Sequence, residues 1–340
     1  MEEKRIPAPC ASKCPLEQAP VYLYCKAMRD LLLEWLADTK SNIIKFYKKR
    51  WPLFIVLLGI LVLMGVFFIR SPVLIVTDAS FYQIYGSRRS GMALLRNSIL
   101  LFRRVVPVPV SEHAGADVIA LVVEAASRSP RAVLFPGRYI DGARIYNSRR
   151  PDVPVLVMLG RNPLPHDSFR DPGLIFVQTD NATDLYRAGL SSALLMGETR
   201  GVIFFYDENF QDQYRQAFQD GLQNQGFAGN PFFHNTFIDH HSFADIGSVV
   251  VAGPAFRFLE RGLDIPVILF SWVDPSLTPR AVKMVFDDSP MALAARALRA
   301  SPVEGEVMIP SRPTVLLDRI EERSDFRKLR RLVRENFQNI

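Results

Sequence analysis

An uninterrupted apolar segment, residues 52–69, constrains the architecture of this 340-residue chain more than any other feature. Its residues carry no charge, and most of them are large aliphatic or aromatic side chains. A helix of this length, at the short end of the usual range, spans the hydrocarbon core of a bilayer. The segment therefore predicts a transmembrane anchor over residues 51–70, which separates residues 1–50 from a main domain over residues 71–340.

The basic residues are distributed unevenly around this segment. Four of them fall within residues 45–50, whereas Arg70 is the only basic residue between the segment and Arg88. An excess of Lys and Arg marks the cytoplasmic side of a membrane span. The segment also lacks the small-x-small motif of a cleavable signal peptide. We therefore expect a single-pass protein of the inner (cytoplasmic) membrane, with a cytoplasmic N-terminus and an extracytoplasmic or periplasmic main domain.

Charge and cysteine content follow the same division. Of the formal net charge of +6, residues 1–50 carry +4 (ten basic, six acidic), Arg70 carries +1 and the main domain carries +1 (thirty basic, twenty-nine acidic). This distribution reflects membrane topology, and it does not indicate a nucleic-acid partner. Cys10, Cys14 and Cys25 all precede the anchor, so the main domain has to be stable without disulfides. Their spacing is not a standard zinc pattern, and we expect no metal there.

The cytoplasmic segment has two parts. Residues 1–20 are rich in proline and polar residues, which is typical of a disordered segment. From Val21, apolar residues recur at helical spacing with charged residues between them, which predicts an amphipathic helix that lies on the membrane or on a partner.

Short apolar runs alternate with longer helical patterns through the main domain, which predicts parallel sheets covered by helices on both faces. Two α/β lobes are expected, because the domain is long for one such sheet. The predicted strands are Val73–Thr77, Val105–Val110, Ala132–Phe135, Val155–Leu159, Leu174–Gln178, Gly201–Tyr206, Phe232–Phe237, Ser248–Ala252 and Val267–Phe270. The predicted helices are Gly86–Phe102, Ala114–Ala126, Asp141–Ser148, Thr183–Met196 and Gln213–Gln225.

Several segments together carry a family resemblance that covers nearly all of residues 71–320. They are Val73–Tyr82, Phe176–Asn181 with Ala188-Gly189, Gly201–Tyr206 with Tyr214–Gly226, and Pro266–Asp274, Val285–Asp287, Glu306–Pro310 and Leu317–Arg319. In their order and spacing, the main domain resembles the type I periplasmic binding-protein fold. It is most similar to the effector domain of the lac-repressor and ribose-binding-protein superfamily.

The resemblance implies two discontinuous lobes joined by a three-crossover hinge. Lobe one would comprise residues 71–178 and 280–302, and lobe two would comprise residues 181–274 and 305–320, with crossovers near residues 179, 276 and 303. The remaining residues, 321–340, have the pattern of a helical tail with one apolar face. This tail either packs on its own domain or serves as an arm for a partner or a second copy of the chain.

Members of this superfamily close their lobes around sugars or similar polar molecules, which they hold by hydrogen bonds and by aromatic rings. The ligand-binding candidates that follow the strands are Asp78, Ser80, Phe81, Tyr82, Arg138, Arg161, Asp207, Arg215, Trp272 and Asp274. Simpler roles stay open for some of them. Asp78 is also placed to cap a helix, Phe81 and Tyr82 suit a core, and Arg138 and Arg161 suit a surface.

Some positions depart from the family pattern. Gly253-Pro254 replaces the usual Asn-Asp, Phe286 replaces a polar residue before Asp287, and the segment around His240 is shortened. These changes remove polar groups from a sugar site. Two functions therefore stay open: a membrane-anchored solute-binding or sensor protein that serves a transporter or another partner, and a ligand-free assembly module of an envelope complex.

Motifs of other function classes are missing from the sequence. It has no P-loop, no nucleophile elbow, no metal-protease helix, and no helix-turn-helix ahead of the main domain. We therefore expect neither an enzyme nor a DNA-binding repressor, and we expect no cofactor and no catalytic or metal-binding residues.

Overall fold

The structure is a computed structural model that describes residues 34, 51, 53–161, 172–196, 201–205, 212–229, 231–234, 245–251, 265–270, 278, 280–300, 305–316, 320 and 323–337. The chain divides into two compact units, Met1–Val66 and Phe67–Ile340. The predictions for residues 1–20 and for the amphipathic helix after Val21 lie outside the described residues, except for Glu34, which is helical.

Helix α1 covers residues 53–69 and forms where the apolar segment predicts a helix. Its large side chains are mostly exposed; Leu53, for example, is 69% exposed and Leu61 is 60% exposed. Among the helices that the structure describes, none combines the length and the apolar character needed to cross a membrane. The membrane anchor therefore stays a prediction.

The second unit is an α/β structure, and its described residues form twelve strands. The strands are β1 (Val73–Thr77), β2 (Val105–Pro109), β3 (Ala132–Pro136), β4 (Val155–Gly160), β5 (Leu174–Thr179), β6 (Gly201–Phe205), β7 (Phe232–His234), β8 (Ile246–Val251), β9 (Val267–Phe270), β10 (Val282–Asp287), β11 (Gly305–Ile309) and β12 (Arg312–Val315). The helices are α2 (Ala79–Tyr85), α3 (Ser87–Leu101), α4 (Ala116–Ala126), α5 (Ile140–Arg149), α6 (Asn181–Met196), α7 (Asp212–Asn224), α8 (Pro290–Ala300) and α9 (Arg323–Phe337).

The strands form two six-stranded sheets. The first sheet has the order β11-β5-β4-β3-β1-β2 and is parallel throughout. The second has the order β12-β10-β9-β8-β6-β7 and is parallel except for the edge strand β12. All five residues of β1 and all six of β8 are buried, as expected for strands covered on both faces.

Helices cover both sheets and complete two lobes. In lobe one, α4 and α5 pack together on the first sheet, while α3 packs against α8, which also contacts β3 and β11. In lobe two, α6 contacts α7, β8 and α9. The backbones of α6 and α7 approach closely, because a Cβ atom at Gly221 would clash with the carbonyl oxygen of Tyr186.

The predicted α/β class and the predicted strands and helices of the described part are confirmed, with bounds that shift by about one or two residues. Two helices of the described part, α2 and α8, were not predicted. Residues 79–85 were not assigned to a helix, but they form α2 because the Asp78 side chain caps it by accepting a hydrogen bond from the backbone N–H of Phe81.

The predicted lobe boundaries are wrong for two strands. We expected residues 280–302 in lobe one, but β10 pairs with β9 in the second sheet, whereas α8 does pack on lobe one. We expected residues 305–320 in lobe two, but β11 pairs with β5 in the first sheet. The crossovers near residues 276 and 303 are therefore misplaced. In the structure the chain crosses between the lobes at Asp180, at residues 288–289 and at residues 310–311.

The C-terminal tail forms α9, whose apolar face packs on its own domain. Leu329 and Leu332 are buried, and Leu332 joins the hydrophobic cluster between α6, α7 and the second sheet. This contact matches the simpler of the two roles that the sequence left open for the tail.

Candidate functional site

Asp78 lies directly after β1, at the carboxyl edge of the first sheet, and its side chain is fully buried. Its Oδ1 accepts hydrogen bonds from the backbone N–H of Phe81 at 2.9 Å and from the Ser80 hydroxyl at 2.8 Å. Its Oδ2 accepts a hydrogen bond from the Tyr139 hydroxyl at 2.7 Å. Burial raises the pKa of Tyr139, so this hydroxyl stays protonated and donates. Asp78 is therefore a helix cap and the centre of a local polar cluster.

Arg138 joins this cluster from a short 3-10 turn, Gly137–Tyr139, that follows β3. Its guanidinium pairs with Asp78 and donates from both terminal nitrogens to the Ser80 hydroxyl, at 3.1 and 3.2 Å. The Arg138 side chain remains 47% exposed. Because β3 is the neighbour of β1, this cation lies at the edge of a parallel sheet where ligands of open α/β folds bind.

The aromatic residues of α2 extend from this edge into the core. The Phe81 ring stacks on the Tyr85 ring at 4.9 Å and meets the Tyr82 ring edge-on at 5.6 Å. Phe81 is partly buried against the main hydrophobic cluster, so it serves at least in part as a core residue.

A second polar cluster surrounds Asp287, the last residue of β10. Its carboxylate is fully buried and accepts hydrogen bonds from the Tyr85 hydroxyl at 2.9 Å and from the Ser289 hydroxyl at 2.7 Å. The guanidinium of Arg89 lies 3.6 Å from it. Burial raises the pKa of Asp287, and burial beside this carboxylate also raises the pKa of Tyr85. The cluster connects α2 and α3 of lobe one to a strand of lobe two.

Arg161, the first residue after β4, connects the lobes a second time. Its Nη1 donates to Asn181 at 2.7 Å, and its Nη2 donates to the Asp184 carboxylate and to the Ser311 hydroxyl, each at 3.0 Å. The carboxylate of Asp184 is fully buried and also accepts from the backbone N–H of Ser311 at 2.9 Å. Burial raises the pKa of Asp184, and Arg161 acts against this change.

The same guanidinium reaches the remaining crossover and the second sheet. Arg161 Nε lies 3.4 Å from the Asp288 carboxylate, and the guanidinium lies over the Phe270 ring at 4.3 Å. Gly160 permits this position, because its φ of +63° ends β4 in a conformation that favours glycine. Arg161 therefore contacts residues at all three crossovers, together with the end of β9.

The ten predicted site residues fall into separate groups. Asp78, Ser80 and Arg138 lie together, with Phe81 and Tyr82 on the adjoining helix, whereas Arg161 lies in its own cluster after the neighbouring strand β4. Arg215 lies on α7 of lobe two, with its guanidinium 5.3 Å from the centre of the Phe233 ring. The remaining three, Asp207, Trp272 and Asp274, lie outside the described residues, as do Gly253-Pro254 and His240.

Several residues of these clusters were not among the predicted site residues. Tyr85, Asp184 and Ser311 carry no motif, and each finds its partners through contacts between distant parts of the chain. Tyr139 had a local signal, because it lies beside Arg138 in the turn that follows β3. Ser289 also had a local signal, since a serine two residues after an aspartate often bonds back to its carboxylate, as it does here.

Comparisons with known proteins agree with this architecture. No protein-family model matches the chain, and no curated protein matches it. A transcriptional activator of the comK gene from Bacillus halodurans superposes with a TM-score of 0.50 and 11% identity, over 79% of this chain and 98% of that chain. The domain has a periplasmic-binding-protein-like fold.

Two transport proteins from Conexibacter woesei DSM 14684 superpose less closely. A solute-binding protein of an ABC transporter system has a TM-score of 0.47 and 10% identity, over 78% of this chain and 96% of that chain. A periplasmic ribose ABC transporter protein has a TM-score of 0.45 and 14% identity, over 78% and 95% of the two chains. At such identities a likeness concerns the fold alone, and the fold assignment rests on the strand order and on the first superposition.

Proposed function

We propose that the main domain is a solute-binding or sensor module that captures a small polar, sugar-like ligand between its two lobes. The observation that supports this proposal most strongly is that the Arg138 guanidinium is held in a fixed position and is still exposed to solvent. A fully buried carboxylate and the Ser80 hydroxyl hold its guanidinium in place, yet almost half of the side chain is exposed at the carboxyl edge of the first sheet. A preorganised, exposed donor at this edge suits recognition of hydroxyl or anionic groups.

The crossovers support the same proposal. Lobe closure requires a few residues between the lobes that absorb a change in backbone angles. The three crossovers provide short connections of this kind, and Arg161 and Asp287 each contact residues of both lobes beside them. Ligand binding at Arg138 would then shift the balance between open and closed arrangements.

We also propose that the domain is anchored in the inner membrane through residues 51–70, with its N-terminus in the cytoplasm. The uncharged sequence, the basic residues on one side, and the exposed apolar side chains all around helix α1 support this topology. The partner in this scheme is a transporter or another envelope protein to which the bound domain delivers ligand or reports its presence.

The proposal is tested by thermal unfolding of the full chain in detergent against pooled sugars, nucleosides and amino acids. A ligand at one hundred times its Kd stabilises the folded state by about 2.7 kcal/mol. This corresponds to a rise in Tm of about 5–11 °C for a domain of this size. We expect Arg138→Gln to lose at least tenfold in affinity for the active compound, because the charged donor is removed.

Arg149→Gln is the matched control for this experiment. Arg149 also pairs with an aspartate, Asp117, but it lies at the opposite end of α5 from the carboxyl edge. The Arg149→Gln variant should bind the active compound with the same affinity as the wild type. A flat response to every pool, or equal loss in both variants, would refute a ligand site at Arg138.

A structural or assembly role without a ligand is the second candidate function. It is favoured by the buried carboxylates of Asp184 and Asp287, which are already bonded within the domain. Phe286 also favours it, because its ring stacks on Phe270 at 4.9 Å inside the core. In that case no pool changes the Tm, and crosslinking of the full chain in its membrane captures a protein partner.

A further inference from the structure

Four arginines from both lobes lie around the second and third crossovers. Arg89 and Arg96 lie on α3, Arg296 lies on α8, and Arg312 begins β12. We call these four residues the hinge arginine cluster.

Hydrogen bonds between α3 and α8 fix the first part of this cluster. The Asn97 side chain donates to the carbonyl oxygen of Met291 at 2.6 Å and accepts from the backbone N–H of Ala295 at 3.4 Å. These bonds join the two helices where Arg96 precedes Asn97 and Arg296 follows Ala295, and the two guanidinium groups are close enough to repel each other electrostatically.

Contacts of β10 and β12 add the other two arginines. Arg312 is the register partner of Asp287 on the adjacent strand. Arg89 lies 3.6 Å from the Asp287 carboxylate and donates to the Thr314 hydroxyl at 3.3 Å. The cluster therefore spans lobe one through α3 and α8, and lobe two through β12.

Among the residues that the structure describes, positive charge exceeds negative charge around these four arginines. The nearby carboxylates are Asp184, which pairs with Arg161, and Asp287, which accepts from Tyr85 and Ser289. Burial lowers the pKa of Arg296, of Arg312 and of Arg96.

Neighbouring arginines lower these pKa values further. Arg187 and Arg96 act on Arg296, while Arg96 and Arg89 act on Arg312. The arginines of the cluster therefore repel one another, in addition to being attracted by the Asp184 and Asp287 carboxylates.

Arg296 also has unused hydrogen-bonding capacity. Its Nε and Nη2 are buried, and neither has a hydrogen-bond partner in the part of the chain that the structure describes. Buried guanidinium donors are normally paired, because an unpaired one has lost its water and gained nothing in return. The two atoms are one edge of a planar fork that fits two oxygens of a phosphate or carboxylate group.

We propose that the hinge arginine cluster binds a phosphate group, either as inorganic phosphate or as part of a phosphate ester. A phosphate dianion supplies acceptors for the unpaired edge of Arg296 and offsets the excess positive charge. The site is separate from Arg138, and it does not depend on the function proposed above. Because the bound group contacts both lobes, it stabilises the arrangement of the lobes around the crossovers.

The test is thermal unfolding of the full chain in detergent at fixed pH and ionic strength, with sodium chloride exchanged for sodium phosphate. We expect saturating phosphate to raise the Tm by about 5 °C or more, whereas chloride alone has no such effect. Glucose 6-phosphate and glucose distinguish the source. A larger rise with the ester than with phosphate, and none with glucose, assigns a phosphate ester, while equal rises assign the phosphate group alone.

Two variants and one control locate the site. Arg296→Gln and Arg312→Gln should each abolish the response to phosphate, and Arg296→Gln should unfold at the same or a higher temperature than the wild type in chloride, because it relieves repulsion. Arg299→Gln on the same helix is the control, since Arg299 is exposed and bonds to the carbonyl oxygen of Leu100. The Arg299→Gln variant should show the same rise in Tm with phosphate as the wild type.

Three results would overturn the proposal. The first is a wild-type Tm that is the same in phosphate and in chloride. This measurement uses the wild-type chain alone, so it does not depend on whether any variant folds. The second is a response to phosphate that persists in Arg296→Gln or in Arg312→Gln. The third is a response that is lost in Arg138→Gln, which would place the anion in the interlobe cleft instead.

Discussion

Arg161→Ala should destabilise the domain strongly, because it removes the only charged partner within hydrogen-bonding distance that the described residues provide for the Asp184 carboxylate. The pair is well shielded, since the Arg161 side chain is 19% exposed and the Asp184 side chain is fully buried. After the change, the carboxylate retains its hydrogen bonds from the backbone N–H of Ser311. The contact of the guanidinium with the Phe270 ring is lost as well.

The expected magnitude follows from these contacts. Removing one partner of a buried ion pair costs about 3–5 kcal/mol. The remaining backbone bonds to Asp184 place the cost of the charge pair at the lower end, about 3 kcal/mol, and the lost ring contact adds about 0.5–1 kcal/mol. A total of about 3.5–4 kcal/mol corresponds to a fall in Tm of about 7–16 °C for a domain of this size.

Urea denaturation of the full chain in detergent, followed by tryptophan fluorescence and circular dichroism, measures this cost. Arg149→Ala is the control, because its partner Asp117 is 73% exposed and the pair contributes about 0–1 kcal/mol. The double variant Arg161→Met with Asp184→Asn should recover at least about 1.5 kcal/mol, because the Asp184 carboxylate is no longer buried without Arg161. A cost below about 1 kcal/mol for Arg161→Ala would refute the buried pair.

Two further predictions concern packing and pH. Gly221→Ala should lower the free energy of unfolding by about 1–3 kcal/mol, because the new Cβ atom would clash with the Tyr186 carbonyl oxygen on the adjacent helix. Gly91→Ala on α3 should raise the free energy of unfolding by up to about 1 kcal/mol, because nothing lies near the new Cβ atom. Urea denaturation of both variants measures the two changes. Burial raises the pKa of Asp287 in the folded state above 3.8. The stability that this residue contributes is therefore fully present below about pH 4, where the carboxyl group is protonated in both states. It is lost as the pH rises through the pKa of the folded state. The stability difference between wild type and Asp287→Asn should therefore fall with rising pH by up to about 1.4 kcal/mol per pH unit; a constant difference would contradict the assigned direction.

The secondary structure of the main domain was predictable because its apolar runs coincide with buried strands. Val73–Thr77 was predicted with its observed bounds, and every residue in it is buried. Residues 79–85 escaped prediction because a seven-residue helix is too short for a clear helical period, and its formation depends on the Asp78 cap.

The assignment of strands to lobes was not predictable from the alternating pattern. Val282–Asp287 and Gly305–Ile309 have the same apolar character in either sheet, and only their ladders with β9 and β5 decide where they belong. Pairing of this kind joins residues far apart in the sequence, so local propensity carries no information about it.

The candidate site was partly predictable for a similar reason. Arg138 and Arg161 were found because they follow strands directly, and strand ends meet at one edge of a parallel sheet. Asp184 and Ser311 were missed because they lie 127 positions apart in sequence and meet only at the crossovers. The hinge arginine cluster was missed for the same reason, since its members come from two helices and one strand.

The central claim, that ligand binds at the carboxyl edge between the two lobes, is tested most directly by hydrogen–deuterium exchange. Exchange of the full chain in detergent is measured alone and with each pool of sugars, nucleosides and amino acids. The account predicts that one pool protects backbone amides of residues 79–82 and 137–139 together with those at the crossovers, residues 287–289 and Ser311. Protection by no pool, or protection confined to other segments such as α9, would contradict it.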